Sequence, residues 1–222
     1  MRDPDLSAVP LFPLPGVVLF PRAVLPLHIF EDRYRAMTAD ALAGDRLVAM
    51  ALLKEGWEKS YYGKPAIEPA VCVGKIISHE KLPDGKYNFL LQGTTRAAVV
   101  KELPIELPYR LAELRRIEIV EASEENLSYW RQRLFGLFAA GPLASMAVGK
   151  QFRNMIASGW ECVDLADMAA FTFLDDIRLK QSLLAEPDVL SRVTRTVEAL
   201  EQMAATLPKV MSIARNVDPS LN

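Results

Sequence analysis

The chain contains two histidines, His28 and His79, and two cysteines, Cys72 and Cys162. Nucleophilic catalysis needs a Ser or Cys within reach of a general base, so the two imidazoles bound where that chemistry can occur. His28 lies in a proline-bounded apolar run and His79 beside a turn. Neither has an acid or thiol at motif spacing, which reads as a structural or surface role rather than as base or metal ligand. No GxSxG elbow, HExxH, EF-hand loop or CxxC pair occurs. A phosphate-cradling GxxxxGKS/T loop and a GxGxxG turn are also absent, which argues against ATP use. The distant cysteines read as two small buried hydrophobes. These observations predict a protein that is not an enzyme and uses no metal and no cofactor.

Binding residues are then the place to look. Arg96, Lys101, Arg110, Arg115 and Arg116 alternate with Glu102, Glu106, Glu113 and Glu118, a mixed, solvated face rather than a basic track for nucleic acid. The acids Asp175 and Asp176 fall on a predicted helix and read as solvated or capping groups. Trp57, Tyr61 and Tyr62, in KEGWEKSYYGKP, sit in a glycine-flanked loop, where aromatics have less reason to be core. They are the first candidates for contact with a peptide, with His28 and Phe30 after them. The formal net charge of −2 supplies no general attraction to phosphate backbones, and 50% hydrophobic with 24% charged residues is ordinary for a globular chain.

The elements that must position these residues begin with PLFPLPGVVLFPRAVLPLHIFEDRYRAM, residues 10 to 37. It is apolar enough for a membrane span, yet Pro15, Pro21 and Pro26 inside a helix would cost about 3 kcal/mol each. Short extended pieces are expected instead, with Val17 to Phe20 and Leu25 to Phe30 as strands. Phe30, Tyr34, Met37 and Ala41 then form a helical stripe that Gly44 stops. RLVAMALL reads as a buried strand. Pro83-Asp84-Gly85 reads as the turn of a hairpin, with Tyr87, Phe89 and Leu91 on one face, Asn88 and Gln92 on the other, and Gly93 ending the run. RLAELRRIEIV supplies a last strand. The N-terminal MRDPDLS lacks a signal-peptide pattern, and later apolar tracts are too short to span a bilayer, so a soluble cytoplasmic protein is expected.

After Val120 the period becomes helical. Ser123 is placed to cap a helix with Leu127, Trp130, Leu134, Leu137 and Phe138 as its stripe, ended by Gly141-Pro142. Further helices are expected from Leu143 to Ser158, from Asp164 toward Leu184, and after Pro187. The last carries Val189, Val193, Val197, Leu200, Ala204 and Leu207 on one face.

VPLFPLPGVVLFPRAVLPLHIFEDRYRAM, VGKIISHEKLPDGKYNFLLQGTTRAAV and DLADMAAFTFLDDIRLKQSLLAEPDVLSRVTRTVEAL, in that order, resemble the N-terminal substrate-binding domain of Lon proteases, especially stand-alone bacterial Lon N-domain proteins. The resemblance runs from about Val9 to Leu207. It implies an α+β fold: a PUA-like β-barrel with one short helix over residues 1–121, followed by a C-terminal helical bundle over 122–222. It implies a non-enzymatic, ATP-independent module that binds unfolded or exposed protein segments, with a separate protease or ATPase as a further partner. The chain is expected to end where the family's ATPase domain begins and to lack the protease domain. Two alternatives stand beside this reading: an RNA-binding PUA-like protein, and a small-molecule sensor using an inter-domain cleft.

Overall fold

The structure, a computed structural model, describes residues 4–60, 63–104 and 106–216, with side chains through Leu207 except that of Ser60. In chain order the elements are β1 (Val9–Leu14), β2 (Val24–Ile29), α1 (Asp32–Ala43), β3 (Leu47–Leu52), a 3-10 turn (Trp57–Ser60), β4 (Ala70–Lys81), β5 (Tyr87–Glu102), β6 (Arg110–Arg116), α2 (Glu124–Ala139), α3 (Pro142–Ser145), α4 (Ala147–Ala157), α5 (Cys162–Phe173), α6 (Ile177–Ala185) and α7 (Val189–Asn216). They form an α+β chain with two compact units. One comprises Met1–Glu118 with Asp175–Pro187, the other Ile119–Leu174 with Asp188–Asn222.

The first unit is built on a six-stranded mixed sheet in the order β2-β5-β4-β3-β1-β6. β1 and β3 are parallel and the remaining pairs antiparallel. The long β5 also pairs with β6 through its second half, so β5, β4, β3, β1 and β6 close a ring of ladders. β2 stands outside that ring. Leu11, Ala49, Val71, Val73, Ala97 and Ala112 lie in the buried cluster this closure creates.

The prolines fall where the ladders tolerate them. Pro10 pairs with Leu111 of β6 and Pro13 with Ala51 of β3, each where β1 has a neighbour on one side only. The expected strand Val17 to Phe20 is not one. Val18, Leu19 and Phe20 are buried as a covering segment without a ladder, so their hydrophobicity serves packing. Phe30 likewise departs from the predicted α1 stripe. The helix starts at Asp32 and buries Tyr34, Met37, Thr38 and Ala41, leaving Phe30 before its first turn. Gly93 does not end β5, which runs on to Glu102. There a Cβ would meet the Phe20 carbonyl oxygen at 2.1 Å, so the glycine marks a close backbone approach.

In the second unit Ser123 caps α2 by accepting from the Asn126 N–H at 3.3 Å. Phe138 stacks on Phe152 with centroids 4.5 Å apart and an interplanar angle of 14°, and Phe173 joins at 5.7 and 5.3 Å. Val189, Val193, Val197 and Leu200 of α7 are buried as the stripe predicts. Two expected helices are broken. The run from Leu143 splits at Met146 into α3 and α4, and Gly149 permits it because a Cβ there would lie 2.0 Å from the Leu143 oxygen. The run from Asp164 splits after Phe173. Asp176 accepts from the Arg178 and Leu179 N–H groups at 2.9 and 3.0 Å, caps a new helix and starts α6, which belongs to the first unit.

Candidate functional site: an exposed apolar sheet face

β2, the first half of β5 and the end of β4 make a three-stranded stretch anchored at the hairpin turn. Gly85 supplies the positive φ of 79° that the turn needs, and its N–H reaches the Leu82 carbonyl at 2.9 Å. Asp84 accepts from the Lys86 N–H and pairs with its ammonium at 2.7 Å, which holds the Asp84 carboxyl below its usual pKa. From α1, the Arg35 guanidinium donates to the Gly85 carbonyl at 2.9 Å and to Asp32 at 2.8 Å. The turn is thereby held to α1.

Alternation along the strands sends Tyr87, Phe89 and Leu91 into the core and their neighbours outward. Register stacks the outward side chains in rows: Val24, Gln92 and Lys75; Pro26, Leu90 and Ser78; His28, Asn88 and Glu80. A bulge in β4 between Ile76 and Ser78 adds Ile77. Val24 is 38% exposed, Leu90 38%, Ile77 47% and Phe30 59%. These are four of the ten large hydrophobics exposed among the described residues, gathered on one surface. Such clustering, rather than any single exposed apolar residue, marks a contact surface.

His28 and Phe30 come together here, two residues apart at the end of β2, with rings stacked at 6.2 Å. His28 Nδ1 lies 2.7 Å from Asn88 Oδ1; an amide oxygen only accepts, so the ring donates and leaves Nε2 toward solvent. His79 joins His28, Glu80, Asn88 and Leu90 around an open depression of about 380 Å³. Among the described residues no three His, Cys, Asp or Glu side chains group to hold a metal ion. Sequence reasoning missed Leu90 and Ile77. Leu90 was detectable as the apolar residue between Asn88 and Gln92 on the predicted polar face.

Trp57 lies elsewhere. It is half-buried in a broader depression of about 640 Å³ lined also by Glu55, Glu58, Glu68, Lys54 and Arg178, with Arg178 salt-bridged to Glu55. The residues lining that depression and those around His28 are entirely different, so the aromatic candidates do not form one patch. Tyr61 and Tyr62 lie outside the described residues.

Of the five basic residues of the late strands, three are buried or paired, while Arg115 and Arg116 are exposed. Arg96 is buried with its guanidinium 5.8 Å from the Phe20 ring, a correction to its expected place on a solvated face. Arg110 pairs with Glu102, and Lys101 with Glu113 at 3.0 Å. Both cysteines are buried, and burial pushes the Cys162 thiol up to about 11.

Residues 8–202 match the substrate-binding domain of ATP-dependent protease La (LON). The chain belongs to that family. It is 26% identical over 201 residues to a Lon protease of Desulfosudis oleivorans, covering 90% of this chain and 24% of that one. It is 28% identical over 206 residues to a Lon protease of Dictyoglomus thermophilum, covering 88% and 25%. The chain thus spans about a quarter of the length of these relatives. Among solved structures, the N-terminal domain of Mycobacterium avium complex Lon protease superposes with a TM-score of 0.70 at 17% identity, over 88% of this chain and 98% of that one. A Lon N-terminal domain protein from Xanthomonas campestris superposes with a TM-score of 0.57 at 22% identity, over 90% and 98%. The fold is that of the Lon N-terminal domain. No described helix is long and apolar enough to cross a membrane.

Proposed function

We propose that this chain binds exposed, non-native segments of other proteins in the cytoplasm without transforming them, and that the outer face of β2, β5 and β4 is where it does so. The observation that carries this reading is the gathering of Val24, Phe30, Ile77 and Leu90 on one anchored sheet face of a Lon substrate-binding domain. His28 contributes beside Phe30, and Trp57 and its neighbours Tyr61 and Tyr62 form a secondary contact region. The closed ring of ladders supports a PUA-like β-barrel for residues 1–121, to whose unit Asp175–Pro187 contributes, and the stacked helices support a helical bundle within 122–222. The chain acts without ATP, and a separate protease or ATPase takes up what it binds.

Fluorescence anisotropy with labelled, reduced and carboxymethylated α-lactalbumin tests this directly. Saturable binding is expected, weakened about tenfold or more by Leu90→Asp, because a buried unpaired charge opposes docking by a few kcal/mol. Intact probe on a gel after prolonged incubation is expected as well. Absence of binding, or equal binding by Leu90→Asp, refutes the assignment of this face, and cleavage of the probe refutes a purely binding role.

A further inference from the structure

The face described above ends in an open backbone. Among the described residues β2 pairs with β5 alone, and its other side has no strand. In an antiparallel ladder the residues along a strand turn their N–H and C=O groups alternately toward the partner and away from it. Two observations settle the parity of β2. The Gly93 N–H donates to the Ala23 carbonyl at 2.8 Å, so position 23, and with it Leu25, Leu27 and Ile29, faces β5. Pro26 has no N–H to give, and opposite Leu90 it occupies a position that needs none. Val24, Pro26 and His28 therefore direct their backbone groups away from β5, toward the side where no described strand pairs with them. They repeat about every 6.6 Å, the spacing of an added strand, and only the Pro26 donor is missing from the series.

Resting on the reading of this face as a docking surface, we propose that the β2 edge holds its client by strand addition: an extended, uncharged, apolar stretch of non-native polypeptide pairs with Val24, Pro26 and His28 and becomes a seventh strand. The backbone selects an extended occupant, since a helix has already used its own N–H and C=O groups. Side-chain placement selects an apolar one. One set of its side chains lands beside the exposed Val24, Pro26 and His28, the alternate set beside the half-buried Leu25 and Leu27. VLPLHI carries no Asp, Glu, Lys or Arg to pair with a charged segment. A strand of that composition is paired and buried in a folded protein, so the edge discriminates by folding state. A second copy of this chain is the poorer occupant. Two β2 edges in symmetric pairing would lack two donors, one from each Pro26, where a client lacks one.

Amide hydrogen exchange by NMR on the full chain, with and without the acetylated and amidated heptapeptide SVTVLVS, reads the pairing residue by residue. On saturation the Val24 and His28 amides slow tenfold or more, while Leu25, Leu27 and Ile29, already bonded to β5, do not change relative to the rest of the sheet. Uniform slowing along β2, or none despite saturable binding, overturns strand addition and leaves side-chain docking on the face. Failure of the peptide to bind overturns it too; if carboxymethylated α-lactalbumin also fails, the binding function itself falls. Alternating protection that rises with protein concentration and without peptide overturns it in favour of self-association. Pro26→Val restores the missing donor and is expected to tighten peptide binding about two- to tenfold. Equal or weaker binding by a folded Pro26→Val chain counts against the edge.

Discussion

The two compact units satisfy their backbones in opposite ways. In the helical unit the helices close their own hydrogen bonds, with Ser123 completing the start of α2 and the Val189 N–H donating to the Val120 carbonyl at 3.0 Å between distant segments, so it is left mainly to side chains to hold it together or meet a partner. Its stability is concentrated in contacts such as the Phe138, Phe152 and Phe173 stack. The strand-rich unit satisfies its backbone only between distant segments, and where the ring closes without β2 an edge is left over. Chain geometry there includes Gly16, Gly56 and Gly85 at positive φ, Arg22 and Arg46 with them, and backbones in near contact at Gly93; the helical unit has tight points of its own at Gly141, Gly149 and Gly159. A task that needs an unsatisfied backbone falls to the second kind of construction, and one that needs only a rigid body is served by the first.

The sharpest test of that contrast is Phe138→Ala. Phe138 is fully buried between two aromatic rings, and truncation leaves a cavity that rigid helices fill poorly; about 3–5 kcal/mol of stability should be lost in urea unfolding followed by far-UV circular dichroism. Phe30→Ala, the same change at a residue 59% exposed on the candidate face, should stay within about 0.5 kcal/mol. Comparable losses at the two positions would mean that Phe30 belongs to the core, and the apolar face would lose one of its members.

A smaller effect separates a glycine at a backbone contact from a glycine on an open helix face. At Gly93 an alanine Cβ would meet the Phe20 carbonyl oxygen at 2.1 Å and Cys72 Sγ at 3.1 Å, so two backbone segments must part, at about 1–3 kcal/mol. Gly136 lies within α2 with nothing within 4 Å of the same added atom. There Gly136→Ala should stabilise by about 0.5–1 kcal/mol, since only the helix propensity changes. Thermal unfolding of both variants gives the two signs; a neutral Gly93→Ala would show that the Phe20 segment yields, and that backbone proximity does not govern this unit.

The same distinction explains what the sequence disclosed. The hairpin at Pro83-Asp84-Gly85 and the alternation of Tyr87, Phe89 and Leu91 are local patterns, and both appear in the structure as read. The pairing of β5 with β6 joins segments separated by a loop and leaves no local mark, so closure of the ring could not be read from periodicity. Val17 to Phe20 has the composition of a strand without a ladder to join, because burial alone accounts for its residues. The break before α6 turns on one cap, Asp176, inside an otherwise continuous apolar pattern. His28 and Phe30 belong to the same strand end and so appear together, whereas Leu90 reaches them only through the register of β2 on β5. Register is a tertiary property, and the site depends on it.

A pH dependence carried by one thiol of the helical unit is the remaining expectation. Cys162, at the first residue of α5, is 1% exposed, and burial is the main reason its pKa rises to about 11; Arg131 pulls it down, while Glu124 and Glu161 push it further up. A thiol in the unfolded chain titrates near 8.5. Between roughly pH 8.5 and 11 the unfolded chain therefore gives up a proton that the folded chain keeps. Fewer protons on the unfolded state means that stability falls as pH rises, being intact below the unfolded value and lost through the folded one. Tyr109, raised by burial and by its hydrogen bond to Asp40, acts with the same sign at higher pH and must be subtracted. Cys162→Ala does so, since it leaves Tyr109 in place: wild type should lose more stability than the variant between pH 8 and pH 10 in matched urea titrations. Parallel curves would mean that the thiolate is tolerated where it stands, and that the helical interior admits more solvent than its aromatic packing implies.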